Sequence, residues 1–131
     1  MKYRSWIFSI GKPFFYTTSG GKYKDLEEGL WFVKFIIKAS KLGIVKGHPD
    51  GNFYPNNTVT TAEFLKMISK AFDLETNLNH SFIDTTDWSN DYAGIATKYT
   101  MFPHKTNQLL PNKPLTRNEV SIGIYSLINN F

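Results

Sequence analysis

Apolar residues in this chain recur at three- and four-residue spacing in four stretches, which predicts four helices separated by polar, turn-rich segments. From Leu30 to Leu42 the periodic set is Trp31, Phe35, Ala39 and Leu42, with Phe32 and Ile36 beside it. Gly43 follows as a residue free to take the left-handed conformation that ends a helix. The second helix is expected to start at Thr60-Thr61-Ala62-Glu63, where the Thr60 hydroxyl and the Glu63 carboxylate can cap each other's backbone N–H groups. It runs to about Phe72 with Phe64, Leu65, Ile68, Ala71 and Phe72 on one side.

A third helix, from Trp88 to about Thr100, directs Tyr92, Ile95, Ala96 and Tyr99 inward. The fourth opens at another capping pair, Thr116 and Glu119, and is expected to place Val120, Ile124, Leu127 and Ile128 toward the core. Gly123 lies inside it, where glycine costs roughly 1 kcal/mol relative to alanine; it marks either a close helix approach or a tolerated weakness.

The connections carry as much information as the helices. Gly47-His48-Pro49-Asp50-Gly51 is a turn cluster, followed by a short extended piece at Asn52-Phe53-Tyr54. Asp50-Gly51 alone does not make a calcium loop, since the alternating oxygen ligands and distal glutamate are missing. Pro103 to Leu110 takes the same place between the last two helices, without glycine and one residue shorter. Pro111 to Glu119 then repeats Pro55 to Glu63 at a constant offset of 56 residues. Two copies of one helix–loop–helix unit predict a mainly all-α fold, a helical bundle with short extended segments in its loops. The divisions are an extension at 1–22, a first unit at 23–74, a connector at 75–81 and a damaged second unit at 82–131. In the extension, Phe14 to Thr18 has strand-like composition, and its aromatic residues favour packing on the domain or on a neighbour.

Composition narrows the function classes. With 131 residues, 41% hydrophobic and 20% charged, the chain suits one compact domain. An aromatic share of 16% suits either a core of rings or a surface that stacks on sugars or bases. The net charge of +4 favours acidic partners, but the basic residues are scattered, which argues against a nucleic-acid footprint. There is no cysteine, so neither a disulfide framework nor a thiolate metal site is expected. His48, His80 and His104 share no metal-ligand spacing, and no carboxylate pair or nucleophilic triad stands in a catalytic context, so neither a metal, a cofactor nor an enzyme is expected. Lys2 and Arg4 precede an apolar run that Gly11-Lys12-Pro13 interrupts, so no convincing signal peptide is read, and no stretch reaches transmembrane length.

Five elements together resemble the S-layer homology (SLH) repeat: Tyr23-x-Asp25, Trp31-x4-Ile36, Gly43-Ile44-Val45-x-Gly47, Pro49-Asp50-Gly51-x-Phe53-x-Pro55 and Thr60-x-Ala62-Glu63, spanning Tyr23 to about Phe72. The second unit keeps Phe82-x-Asp84, Trp88, Pro111 and Thr116-Arg117-x-Glu119, and has lost the glycine elements. The resemblance implies a non-catalytic module at the bacterial cell surface. It would bind anionic secondary cell-wall polysaccharide, often through a pyruvate ketal, or a peptidoglycan-linked glycan. It also implies three repeats around a pseudo-threefold axis with ligand grooves between them, so self-association could complete the bundle here.

The residues it points to are Arg117, Trp31, Trp88, Asp25, Asp84 and Gly47. An arginine fork can meet a ketal carboxylate bidentately, and Arg117 sits beside the positive end of a helix dipole. Thr61 stands at the matching position of the first unit, which weakens that site. Against these roles stand surface pairing for Arg117, core packing for the two tryptophans and capping for the two aspartates. The competing functions are a structural or oligomerisation module that has lost sugar binding, and a fragment of a larger surface protein or enzyme.

Overall fold

The computed structural model describes residues 22–130. The expectation that the aromatic extension packs on the domain therefore lies outside the described residues. Four helices follow in order among those residues: α1 Val33–Lys41, α2 Thr61–Phe72, α3 Asp87–Lys98 and α4 Arg117–Asn129. The only sheet-like pairing among them is one antiparallel bridge, Thr60 with Pro114. The expected all-α architecture is what forms.

Both predicted capping boxes are present. Glu63 N–H donates to the Thr60 hydroxyl while the Glu63 carboxylate accepts from Thr60 N–H at 2.8 Å. Glu119 and Thr116 repeat this, with Thr116 N–H to the carboxylate at 2.9 Å. Gly43 takes φ +73 just past α1, as its position predicts.

The main core joins α2, α3 and α4. Leu65, Ile95, Met101, Leu109 and Leu127 are fully buried at its centre, with Phe64, Ile68, Ala93, Ala96, Tyr99 and Phe102 around them. Gly123 is the point where α4 approaches α2. A Cβ there would stand 3.1 Å from the Phe64 ring, so the glycine serves close helix packing rather than being a tolerated weakness. A second, smaller cluster holds the first helix: Tyr23, Leu26 and Val33, with Phe32, Ile36, Ile37 and Phe53 against them.

Two expected faces are rotated from where periodicity put them. In α1, Phe35 is exposed, as are Trp31 and Leu42 just beyond its ends, and the buried positions are Val33 and Ser40. Ser40 faces inward because its hydroxyl is bonded to the Tyr23 hydroxyl at 2.7 Å, a polar contact that hydrophobicity cannot forecast. In α4, Leu127 is buried and Val120 packs on the core, but Ile124 and Ile128 are exposed. Gly123 takes the inward face in their place.

Candidate functional site

The six residues expected to bind divide by what holds them. Asp25 and Asp84 are loop clamps. The Asp25 carboxylate accepts from Phe53 N–H at 2.8 Å and Tyr54 N–H at 2.7 Å; Asp84 accepts from Leu109 N–H and Leu110 N–H, both at 2.8 Å. Partial desolvation raises the Asp25 carboxyl, yet the N–H bonds of Phe53 and Tyr54 outweigh it and hold the group below its usual range. Tyr54 and Leu110, the second residue of each clamped pair, both sit at positive φ (58 and 56), a strained conformation that the two bonds sustain. Gly47 is also structural. It lies where a Cβ would meet the Tyr23 ring at 2.2 Å, and its N–H donates to the Tyr23 hydroxyl at 3.2 Å.

Trp31 and Trp88 are not core residues. Trp31 is 75% exposed and meets the rings of Phe32 and Phe35 edge-on. Trp88 is 43% exposed, packs edge-on against Tyr92 and carries the Lys66 ammonium 5.0 Å above its ring. Arg117 is exposed at the first position of α4, and no hydrogen bond or ion pair holds its guanidinium among the described residues. No bond or ring contact joins any two of the six among those residues. They do not form one preassembled site.

The two helix starts show why Arg117 and Thr61 differ. The loop before α4 crosses the start of α2. Thr61 N–H donates to Lys113 C=O at 3.0 Å, Ala62 N–H to Pro111 C=O at 3.0 Å, and Leu115 N–H to Val59 C=O at 3.0 Å. Thr61 and Ala62 are fully buried by this crossing. The start of α2 is therefore closed, its exposed donors already satisfied. Arg117 and Asn118 occupy the corresponding places in α4, where no such carbonyl reaches their N–H groups among the described residues.

Beside α4 opens a cleft of about 230 Å³ lined by His104, Lys105, Asn107, Gln108, Lys113 and Glu119, among others. Lys105 is buried. Its ammonium donates to Leu109 C=O at 2.8 Å and to the Thr61 hydroxyl at 3.4 Å, and lies 3.9 Å from the Glu119 carboxylate. Burial pushes this lysine below its ordinary value, with the Glu119 charge opposing. Glu119 is held below the usual carboxylate range chiefly by Thr116 N–H, and it also contacts His104 Nε2 at 3.3 Å. Sequence reading missed this wall, because Pro103 to Leu110 looked like a damaged turn. The available signal was the paired His104-Lys105 in a segment that had lost its glycines. Among the described residues there is no group of three metal-ligating side chains.

A family model described as the S-layer homology domain matches residues 22–65. Residues 22–65 are therefore an S-layer homology segment. The chain is 28% identical over 104 residues to the S-layer protein EA1 of Bacillus anthracis, covering 76% of the chain and 12% of that protein. It is 33% identical over 98 residues to the middle cell wall protein of Brevibacillus brevis, covering 75% of the chain and 8% of that protein. An amylopullulanase of Thermoanaerobacterium thermosulfurigenes is 28% identical over 122 residues, 85% of the chain and 6% of the enzyme. The chain thus spans a small fraction of the length of these relatives. No solved structure matches it. SLH domains are non-catalytic modules that bind cell-wall polymers, which puts this one at the cell surface. No helix among the described residues is long and apolar enough to cross a membrane.

Proposed function

We propose that this SLH domain anchors its protein by binding an anionic, pyruvylated secondary cell-wall polysaccharide, and that residues 82–131 are a second, degenerate SLH unit. The observation that carries the reading is the contrast between two equivalent helix starts. Thr61 is buried and its N–H is bonded, whereas Arg117 presents at the positive end of α4 a guanidinium that no hydrogen bond or ion pair holds among the described residues. A ketal carboxylate suits that fork, and the exposed rings of Trp31 and Trp88 offer apolar faces to sugars.

The second unit is supported by repeated backbone bonds. Ile44 N–H to Ala39 C=O matches Met101 N–H to Ala96 C=O, and Asn57 N–H to Tyr54 C=O matches Lys113 N–H to Leu110 C=O. The test of function is a pull-down with purified cell-wall polymer before and after its pyruvate groups are removed. Binding should need the pyruvate and fall about tenfold in Arg117→Ala, the scale of one charged hydrogen bond. Retention that ignores both changes overturns the reading.

A structural role is favoured by one further observation. The carbonyls of Pro55 and Asn57, the counterparts of Pro111 and Lys113, receive no backbone donor among the described residues, and Arg117 and Asn118 N–H offer the complementary pair. One edge can therefore accept what the other donates, so copies or a further repeat could dock head to tail. Sedimentation analysis across a concentration series tests this, and a strict monomer at all concentrations removes self-association.

A further inference from the structure

The first helix carries apolar residues on two opposite sides, and its own unit uses one of them. Val33, Ile36 and Ile37 turn onto the small cluster with Tyr23, Leu26 and Phe53. At about 100° per residue, Phe35 in α1 and Trp31 and Leu42 just beyond its ends form one stripe on the opposite side. They are 57%, 75% and 42% exposed, and the Trp31 and Phe35 rings lie with centroids 6.3 Å apart. A continuous apolar stripe, unlike scattered single residues, marks a contact surface.

Within reach of that stripe are the first 21 residues of the same chain. Lys22, where the described residues begin, is fixed beside α1. Its ammonium donates to the Ser40 hydroxyl at 2.5 Å, and the neighbouring Tyr23 hydroxyl is bonded to the same oxygen. The chain therefore meets the domain near the C-terminal end of α1. Upstream stand Trp6, Ile7, Phe8, Phe14, Phe15 and Tyr16, with no acidic residue from 1 to 21. The six peptide steps from Tyr16 to Lys22 reach up to about 20 Å, and a helix the length of α1 spans about 13 Å, so Phe14-Phe15-Tyr16 can lie along the stripe. Lys12 would then come toward Glu27 and Glu28, which are exposed and form no ion pair among the described residues.

We propose that Phe14, Phe15 and Tyr16 dock on the Trp31–Phe35–Leu42 stripe of their own chain. Seated there, the aromatic segment covers Trp31 and leaves Arg117 open, so the inference does not rest on the glycan reading, which Arg117 carries.

The chain has no cysteine, so Gly11→Cys gives the full chain a single site for a nitroxide spin label. In the isotope-labelled protein at low concentration, the nitroxide should broaden the NMR signals of the amides of residues 27–35 most strongly. Phe35→Ser should remove that selectivity, and because Phe35 is more than half exposed the fold should not depend on it. Phe14→Ser combined with Phe15→Ser should have the same effect from the other side of the contact. Broadening spread evenly over the domain, or kept at full strength in both variants, overturns the proposal. A mixture in which the nitroxide and the isotope label sit on different chains should show no selective broadening. Selective broadening of residues 27–35 in that mixture overturns docking within one chain and assigns the stripe to a second copy.

Discussion

The starts of α2 and α4 carry the same local code and serve different ends. Each has a Thr–Glu capping box, and each follows a loop held by an aspartate that clamps two consecutive N–H groups. What separates them is tertiary context. The first turns of α2 bury Thr61, Ala62 and Leu65 completely, under a strand-like crossing from the other half. The matching residues of α4, at the 56-residue offset, are Arg117, Asn118 and Ser121, all exposed. One helix start is a joint and the other is a surface. Capping therefore sets where a helix begins, while the residues on its first turns decide what may lie against it.

The largest expected effect breaks this comparison at its buried side. Leu65→Ala should cost about 2–5 kcal/mol in urea unfolding, because Leu65 is fully buried in the main core, whereas Ser121→Ala should change stability by no more than about 0.5 kcal/mol. Equal costs at the two positions would mean that the halves are packed alike. A smaller effect is expected from exchanging the first helical residues. Thr61→Arg should destabilise by about 1–3 kcal/mol through overpacking at a fully buried position, and Arg117→Thr should leave the urea midpoint nearly unchanged. A fully stable Thr61→Arg would show that the α2 joint can open.

The smallest effect concerns pH. Asp25, Asp50 and Glu119 are all held below their ordinary values of 3.8, 3.8 and 4.5: Asp50 first by the Tyr54 hydroxyl, Glu119 first by Thr116 N–H, and Asp25 by the Phe53 and Tyr54 N–H groups against opposing desolvation. Such carboxylates bind fewer protons in the fold than in the unfolded chain. Their stabilisation is present above those ordinary values and is lost as pH falls through the lower folded ones. Thermal midpoints should therefore drop in acid, and Glu119→Gln should make that drop shallower. An unchanged acid profile in this variant would remove Glu119 from the account.

Much of this was readable in the chain. The capping boxes follow from Thr and Glu three residues apart, Gly43 from the left-handed exit of α1, and the main core from the apolar spacing of Phe64, Leu65, Ile68, Ile95 and Ala96. The failures share one cause. Periodicity identifies a helix but fixes its rotation only as well as its apolar face is unique. In α1, apolar residues lie on more than one side, and the Tyr23–Ser40 hydroxyl contact selected the face. In α4, Gly123 won the inward position because Phe64 needed room there. Of the candidate site, Arg117 was legible from its motif position, but the clamp roles of Asp25 and Asp84 and the close approach at Gly47 came from distant loops.

By itself, then, the sequence determined the local grammar: four helices, their starts and stops, and the motifs at residues 22–65 that match the S-layer homology family. Those features depend on contacts between residues a few positions apart, where spacing is the whole geometry. Only the tertiary structure decided that Thr61 lies sealed beneath Lys113, that Lys105 is drawn into a cleft beside Glu119, and that Arg117 is left facing outward. Those outcomes depend on which donors and acceptors meet across 44 or more residues of chain, and a buried amide or ammonium goes wherever a distant oxygen is placed to receive it.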